Sequence, residues 1–347
     1  MTFNYNTKFA IIVPVYNTAS YLLECLNSLL NLQYKNFTVF IVDDGSTDDS
    51  WNIISKFTKQ DHRFVAQKKK NGGVSSARNF ALDLIEKDSF FDAICFVDSD
   101  DVVNCNLLNI YAEGIEKYGA EFVALGVEAF NKKGVLKNKD KVMHSPLVLT
   151  GEDIFSFVFA TRKFKDRRSP AASLFIGNVA FNLKTVKKMR FDESKLKGED
   201  QHYILRALLR VQKAVAFSEI GYKYRLRNSS LSHDPLVSSS DLQTYLKLIK
   251  NESMLPSTCY QVIELRAFDA WWQTMRISVE KKEFDDRWDF FVETFNFLKE
   301  NCKTKVFSNS ALKKRVWIFH LGKKVVKFYF RFRINKTSSE KLRDAFP

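Results

Sequence analysis

Two residue periods alternate through the first hundred positions, and that alternation leaves few folds open. Phe9 to Val15 is an unbroken apolar run of strand length, and Leu22, Leu26 and Leu29 then recur at helical spacing within Tyr21 to Leu32. Phe37 to Val42 predicts a second strand, ended by Asp43-Asp44-Gly45-Ser46; Ser46, with Asp49 three residues on, is placed to cap a helix buried through Trp51, Ile54 and Phe57. A short strand over Phe64 to Gln67 leads to Asn71-Gly72-Gly73. Val74, Ala77, Ala81 and Ile85 then mark a third helix, and Ala93 to Val97 a fourth strand. Strands apolar throughout and joined by helical segments belong in a mainly parallel sheet covered by helices, an α/β fold. Such sheets bind ligands beyond the carboxyl ends of their strands. The unusual polar residues fall there: Asn17 after strand one, Asp43 and Asp44 after strand two, Asp98 to Asp101 after strand four.

Asp98-Ser99-Asp100-Asp101 places three carboxylates in four residues. Like charges so close are unfavourable unless a cation or hydrogen bonds compensate. Mg²⁺ or Mn²⁺ bridging a diphosphate is such a cation, since Mg²⁺ is commonly held by few protein carboxylates plus substrate phosphates. An acidic turn whose aspartates bind their own backbone amides is the competing reading. Asp44 has acceptor oxygens suited to the imide N3–H of a uracil ring, although Asp-Gly is also an ordinary turn. In Gly72 to Asn79 the glycines allow close approach of a ligand and Arg78 offers a fork of donors to a carboxylate or phosphate, while an exposed helix arginine is the plain alternative. Pro14, late in a central strand, loses a ladder bond and suits a strand end that presents backbone to a ligand.

Five segments in order, Ile11-Ile12-Val13-Pro14-Val15-Tyr16-Asn17, Val42 to Asp48, Gly73 to Asn79, Phe96 to Asp101 and Gly198-Glu199-Asp200, resemble the motifs of family 2 glycosyltransferases with the GT-A fold, over about residues 9 to 235. The resemblance implies a nucleotide-diphospho-sugar transferase fold followed by a helical C-terminal region. It implies that Pro14, Val15, Tyr16, Asn17 and Asp44 form the donor-base pocket and that Arg78 neighbours the nucleotide or diphosphate. Asp98, Ser99 and Asp100 would meet the ribose and diphosphate, with Asp98 and Asp100 on the metal. Asp200 would be the general base of an inverting displacement and Glu199 would orient the acceptor. Tyr222 to His233 resembles the segment that closes the catalytic domain in bacterial members, which puts Arg225 or Arg227 on the diphosphate and His233 near the metal or phosphate. An edge strand whose arginines only face water is the alternative for that segment. The implied donor is a UDP-sugar and the implied acceptor a saccharide, lipid-linked, of a capsule, lipopolysaccharide or teichoic acid.

Beyond Asn104 the reading gives a helix through Leu107, Leu108, Tyr111 and Ile115, a strand over Glu121 to Phe130, a turn at Asn131 to Gly134, a loop at Ser169-Pro170, a strand within Ser173 to Leu183, and a helix opened by Glu199-Asp200 that buries Ile204, Ala207, Leu208 and Val211. From Asp241 the period is helical. The expected division is a catalytic domain over 1–235, with a donor half to about 103 and an acceptor half after it, then a helical domain over 236–302 and a basic amphipathic segment over 303–347. Lys303 to Ile334 holds ten basic residues and no acidic one, against a net charge of +14 for the chain. Interleaved with Val316, Trp317, Phe319, Val325, Val326, Phe328 and Phe330, this composition suits a helix lying in an anionic membrane surface; packing of those apolar residues on the helical domain is the alternative. Nucleic acid is not an expected partner, because the excess charge lies outside the α/β part. Five scattered cysteines without a Cys-x-x-Cys pair read as reduced thiols, and no signal-peptide pattern or 18-residue apolar window is present. The expected location is therefore the cytoplasm, peripherally on the inner face of the membrane. A sugar nucleotidyltransferase fits less well, lacking a basic glycine-rich loop after strand one. A dinucleotide oxidoreductase lacks Gly-x-Gly-x-x-Gly, and a non-catalytic membrane or nucleic-acid binding module leaves the acidic strand exits and Asp200 without a task.

Overall fold

The computed structural model of the 347-residue chain describes residues 5–87, 90–131, 134–135, 145–158, 175–193, 198–226, 242, 245–246, 249–250, 257–302 and 310–331. It forms two compact units, residues 1–230 and 231–347.

In the first unit, β1 (Phe9–Val15) is buried along its whole length, as its uninterrupted apolar sequence requires. Its Phe, Ile and Val side chains each contribute about 1.5–3 kcal/mol by leaving water. β2 (Phe37–Asp43) and β4 (Ala93–Phe96) flank it in parallel, with Phe9 opposite both Phe37 and Ala93, and β3 (Phe64–Lys68) lies outside β2. Because the strands share one register, their carboxyl ends reach the same sheet edge, where Val15 stands opposite Asp43. Helices α1 (Ala19–Leu30), α2 (Ser50–Gln60) and α3 (Val74–Lys87) make the crossovers and bury Leu22, Leu26 and Leu29, then Ile54 and Phe57, then Ala77, Ala81 and Ile85. Ser46 does not cap α2. Asp48 Oδ1 accepts the Ser50 amide at 3.0 Å instead, and the Ser46 hydroxyl accepts the amide of Asn17 at 3.0 Å. Trp51 is only half-buried against the core.

The second half continues with β5 (Val102–Val103), α4 (Leu107–Ala112) widening into a π-helical turn at Glu113–Lys117, β6 (Phe122–Asn131), β7 (Gly134–Val135), β8 (Leu147–Thr150), α5 (Glu152–Val158), β9 (Val179–Asn182), α6 (Leu183–Val186), α7 (Glu199–Leu208) and β10 (Lys213–Arg225). The sheet order is β3-β2-β1-β4-β9-β6-β10-β5, with β7 on β6 and β8 on β10. It is mixed and mostly parallel: β1, β2, β3, β4, β6 and β10 run one way, while β9, between β4 and β6, and the short β5, β7 and β8 pair antiparallel with their neighbours. The strand expected within Ser173 to Leu183 begins later, after a 3-10 turn at Ile176–Asn178. A Cβ on Gly177 would lie 2.5 Å from the rings of both Phe175 and Tyr222, so the turn brings bare backbone against Tyr222. Nor is the Tyr222 segment an edge strand. β10 pairs with β6 on one side and with β5 and β8 on the other, and Tyr222 is wholly buried.

The second unit is helical, with Ser257–Glu280, Trp288–Asn301, Ser310–His320 and a further helix over 323–331. Its core is aromatic: Trp271 lies 4.7 Å from Phe319 and 5.4 Å from Phe295, ring centre to ring centre, and Trp272 lies 4.8 Å from Phe330. The Trp271 indole donates to Phe291 O at 3.0 Å, which satisfies its buried N–H. The basic segment thus packs part of its apolar content, Phe319 and Phe330, into this core. Lys323 and Lys327 both bond to Asp285. Among the described residues no helix is long and apolar enough to cross a membrane.

Candidate functional site

The exits of β1, β2 and β3 are tied together by short polar links. Asn17 adopts φ +51°, a left-handed conformation that asparagine tolerates better than most residues. There its Oδ1 accepts the Thr47 amide at 2.8 Å, and the Asp44 amide donates to Val15 O at 2.8 Å. Pro14 stands opposite Val42, and Tyr16 is half exposed beside them. The Asp44 carboxylate is only 2% exposed and receives the Gly73 amide at 2.7 Å, the Gly72 amide at 3.1 Å and Lys69 Nζ at 2.7 Å. Glycine is required at position 45: its φ is +79°, and a Cβ there would stand 3.0 Å from the Asn71 amide nitrogen.

A second cluster joins α3, the β4 exit and the start of α7. Arg78 is 2% exposed, and its guanidinium meets Asp98 Oδ1 at 2.9 Å, Glu199 Oε1 at 3.1 Å and Asp200 Oδ1 at 2.5 Å. Burial opposes its charge, but the Asp200, Asp98 and Glu199 carboxylates outweigh that and hold its pKa above the usual arginine range. Asp200 is pushed well above the usual carboxylate range, first by burial; Arg78 pulls it down, while Glu199 and Asp98 push it up. The next residue, Asn79, fixes the approach to α7: its Oδ1 accepts the Phe191 amide at 2.7 Å, and its Nδ2 donates to Phe191 O at 3.0 Å and Glu193 Oε1 at 2.8 Å. Gly198, in the left-handed region at φ +73°, precedes Glu199 and Asp200.

The acidic run after β4 is held from below by β10. The Tyr222 hydroxyl donates to Asp101 Oδ2 at 2.8 Å and accepts the Asp98 amide at 3.1 Å, while the Arg225 amide donates to Asp101 Oδ1 at 2.7 Å. Burial and the neighbouring Asp98 and Asp100 charges push the Asp101 carboxyl up to about 8. The Arg225 guanidinium donates to Asp100 O at 2.7 Å and to Glu24 Oε2 at 2.6 Å, and lies 4.4 Å above the Phe130 ring. Ser99 Oγ accepts the Thr18 hydroxyl at 2.9 Å. Arg227 and His233 lie outside the described residues.

Among the described residues no three or more His, Cys, Asp or Glu side chains are arranged to hold a metal unaided. The donor set still suits a hard divalent cation. Asp98 and Asp100 offer carboxylate oxygens two residues apart at a strand exit, and Arg78 engages one oxygen of Asp98, so a cation held there would need a diphosphate and water for its remaining ligands.

The structure brings Asp98 together with Arg78, Glu199 and Asp200, and it brings Asp44 beside the Pro14 to Asn17 segment. It also adds Lys69, Thr18, Asn79 and Tyr222, to which the sequence reading gave no role. Asn79 was discoverable as the neighbour of Arg78 within one quoted segment. Tyr222 carries no local signal beyond strand alternation.

Residues 10–188 match the sequence profile described as Glycosyl transferase family 2. The chain is similar to glycosyltransferase GlyA of Streptococcus pneumoniae, 30% identical over 227 residues that make up 65% of this chain and 31% of that protein. With GlyG of the same organism it is 29% identical over 231 residues, 64% of this chain and 72% of that one. With the poly(ribitol-phosphate) beta-N-acetylglucosaminyltransferase TarS of Staphylococcus aureus it is 28% identical over 249 residues, 71% of this chain and 40% of TarS. The match therefore spans less than half of GlyA and of TarS. In fold, the crystal structure of S. aureus TarS 1-349 superposes with a TM-score of 0.58 at 18% identity, covering 87% of this chain and 91% of that one. The mannosyltransferase PcManGT from Pyrobaculum calidifontis gives 0.52 at 12% identity, covering 94% and 86%.

Proposed function

The chain belongs to glycosyl transferase family 2, and from that membership we propose that it moves a hexosyl or N-acetylhexosaminyl group from a UDP-sugar to a hydroxyl of a saccharide acceptor, with inversion at the anomeric carbon. The observation that carries the proposal is the Arg78 cluster, in which one buried cation gathers Asp98, Glu199 and Asp200 from separate elements at the ligand-binding edge of the sheet.

In this reading Asp200 takes the proton of the acceptor hydroxyl. The hydroxyl oxygen forms its bond to the anomeric carbon as the bond from that carbon to the β-phosphate oxygen breaks, so UDP leaves and the proton rests on Asp200. An ordinary aspartate, with a pKa near ~4, is a weak base toward an alcohol; burial of Asp200 raises its basicity. Glu199, on the same guanidinium, orients the acceptor. Asp98 and Asp100 would hold Mg²⁺ or Mn²⁺, which when bound supplies positive charge against that gathering on the departing diphosphate. Asp44 and the Pro14 to Asn17 segment receive the uracil. Its carboxylate is held in place by Lys69 Nζ and by the Gly72 and Gly73 amides, the Gly72 amide reaching both oxygens. Arg225, tied to Asp100 O, fixes the loop beneath the diphosphate.

The name of TarS describes transfer of N-acetylglucosamine to poly(ribitol phosphate), which supports a bacterial surface glycan as acceptor, lipid-linked and reached from the cytoplasmic face of the membrane. The basic helices at the end of the second unit supply the membrane contact. UDP release in the presence of Mg²⁺ or Mn²⁺, screened over UDP-sugars with and without oligosaccharide acceptors, tests the activity. The expected result is acceptor-stimulated release that Asp200→Asn abolishes while UDP binding persists. A folded protein that binds no nucleotide sugar refutes the reading.

A further inference from the structure

Phe191 is held by both α3 and α7. Asn79 of α3 clasps its backbone, accepting the amide at 2.7 Å and donating to the carbonyl at 3.0 Å. One residue earlier, Arg190 O accepts from Arg206 of α7 at 2.9 Å, and the Arg190 guanidinium reaches Asp83 at 2.6 Å and Glu86 at 2.9 Å on α3. The Phe191 ring is buried. It lies flat against Tyr203, 4.1 Å between ring centres and 8° from parallel, and meets Phe96 edge to face at 5.4 Å. The Arg78 guanidinium stands over the same ring, its Cζ 5.1 Å from the centre.

The hydrogen bonds of Arg78 fix only one end of its fork. Nη1 donates to Glu199 and Asp200 and Nη2 to Asp98, whereas Nε is buried and has no hydrogen-bond acceptor among the described residues. Bonds at the terminal nitrogens alone leave the plane of the guanidinium able to tilt about them. A flat guanidinium stacks on an aromatic face, and a cation within about 6 Å of the ring centre is attracted to it. The Phe191 ring therefore supplies the restraint that the hydrogen bonds lack. Tyr203 lies within α7 about one helical turn beyond Glu199 and Asp200, so the stack ends beside the two carboxylates that Nη1 holds. We propose that Phe191 is a positioning residue of the transfer site: stacked with Tyr203 and set beneath the Arg78 guanidinium, its ring fixes the orientation of Arg78 and, through it, of Glu199 and Asp200. The assignment rests on the reading of Asp200 as base.

The test follows UDP release from UDP-glucose, UDP-galactose and their N-acetyl forms, with Mn²⁺ and oligosaccharide acceptors, for the full chain, Phe191→Leu, Arg78→Lys and the double variant. Phe191→Leu is expected to lower kcat about 2- to 30-fold, the range for one partly desolvated cation–aromatic contact, with the donor KM and calorimetric UDP affinity unchanged. In the Arg78→Lys background, where the ammonium presents no plane to stack, the same substitution should cost about twofold or less, because residues that act through each other do not add. Side-chain NMR gives a readout independent of turnover. The Arg78 Hε resonance, identified by its loss in Arg78→Lys, should lie upfield under the ring current and return to the ordinary arginine position in Phe191→Leu. Phe191→Met, closer in volume, covers the case in which the leucine variant fails to fold. An unmoved resonance, a kcat loss equal in both backgrounds, or a loss confined to the donor KM overturns the positioning role while leaving Asp200 in place. Wild-type protein that releases no UDP in this screen, or Asp200→Asn that transfers normally, overturns the reading of Asp200 and this proposal together.

Discussion

Arg78 sets one buried positive charge among three carboxylates, and the balance at that residue governs both stability and chemistry. Removing one partner of a buried ion pair costs on the order of 3–5 kcal/mol, because the remaining charges lose their compensation. Arg78→Met should therefore lower the urea midpoint by several kcal/mol equivalent, and an unchanged midpoint would show that the cluster is not held by this cation. The same balance sets a pH dependence. As the proposed base Asp200 would have to be ionised, so transfer should rise with pH, with an inflection above the ~4 of a free aspartate because burial raises its pKa. Arg78 is the influence that lowers it, so Arg78→Gln should move the inflection further up, readable in kcat/KM from about pH 4 to pH 9; identical profiles for the two proteins would separate Arg78 from the base. The sign for stability is opposite. A raised folded pKa means that the stabilising contribution of protonated Asp200 is present below the unfolded value and is lost as pH rises through the folded one. Asp200→Asn should accordingly melt no lower than wild type at neutral pH while losing transfer. The residues of this cluster stood in the sequence as separate segments. Their meeting did not, because Arg78 and Asp200 are far apart in the chain and no local period encodes the contact. Tyr222 was invisible for the same reason, since its partners Asp98 and Asp101 arrive from another strand.

Elements whose own sequence decides their buried face were the legible ones. β1, β2 and β4, and the stripes of α1, α2 and α3, follow from local period because each is buried along its length or along one side. Elements shaped by a distant contact were not. The turn at Ile176–Asn178 exists where Gly177 meets Tyr222, and at the start of α2 the Ser50 amide is met by Asp48, while Ser46 accepts from Asn17. The close approach of the β2–α2 turn to the loop from β3 to α3 gives a paired prediction of this kind. Gly45 combines φ +79° with backbone atoms of Asn71 and Lys69 at 3.0 and 3.3 Å from a would-be Cβ, whereas Gly73 has φ +88° and nothing within 4 Å. Gly45→Ala should thus carry strain and collision together, about 1–3 kcal/mol or more, and should weaken UDP binding by lifting residues 69–73 from Asp44. Gly73→Ala carries the strain alone and should cost less, about 1 kcal/mol. Thermal unfolding of the two variants in parallel decides it, and equal losses would mean that close approach at Gly45 contributes nothing.

Across the whole molecule the basic end both fills a core and presents an exposed face, and separating the two determines how the proposed membrane attachment must be tested. Phe319 and Phe330 fill the aromatic core with Trp271 and Trp272, so deleting the segment would remove core side chains along with charge. The opposite residues remain outside: Trp317 is 62% and Phe328 70% exposed, with Leu321 and Val325 also exposed, among exposed Lys313, Lys314, Lys324 and Arg331. Exposed aromatics among basic residues favour the interface of an anionic bilayer, where each basic residue contributes about 1 kcal/mol near the surface and salt screens the attraction. The full chain should therefore float with phosphatidylglycerol vesicles, float poorly with phosphatidylcholine, and detach as salt rises. Trp317→Ser with Phe328→Ser should weaken flotation without lowering the melting temperature, because neither ring is in the core. Flotation indifferent to lipid charge would exclude the electrostatic contribution. Undiminished binding of the folded double variant would exclude the aromatic one, leaving the lysines as a solvated face and the attachment to be sought elsewhere in the chain.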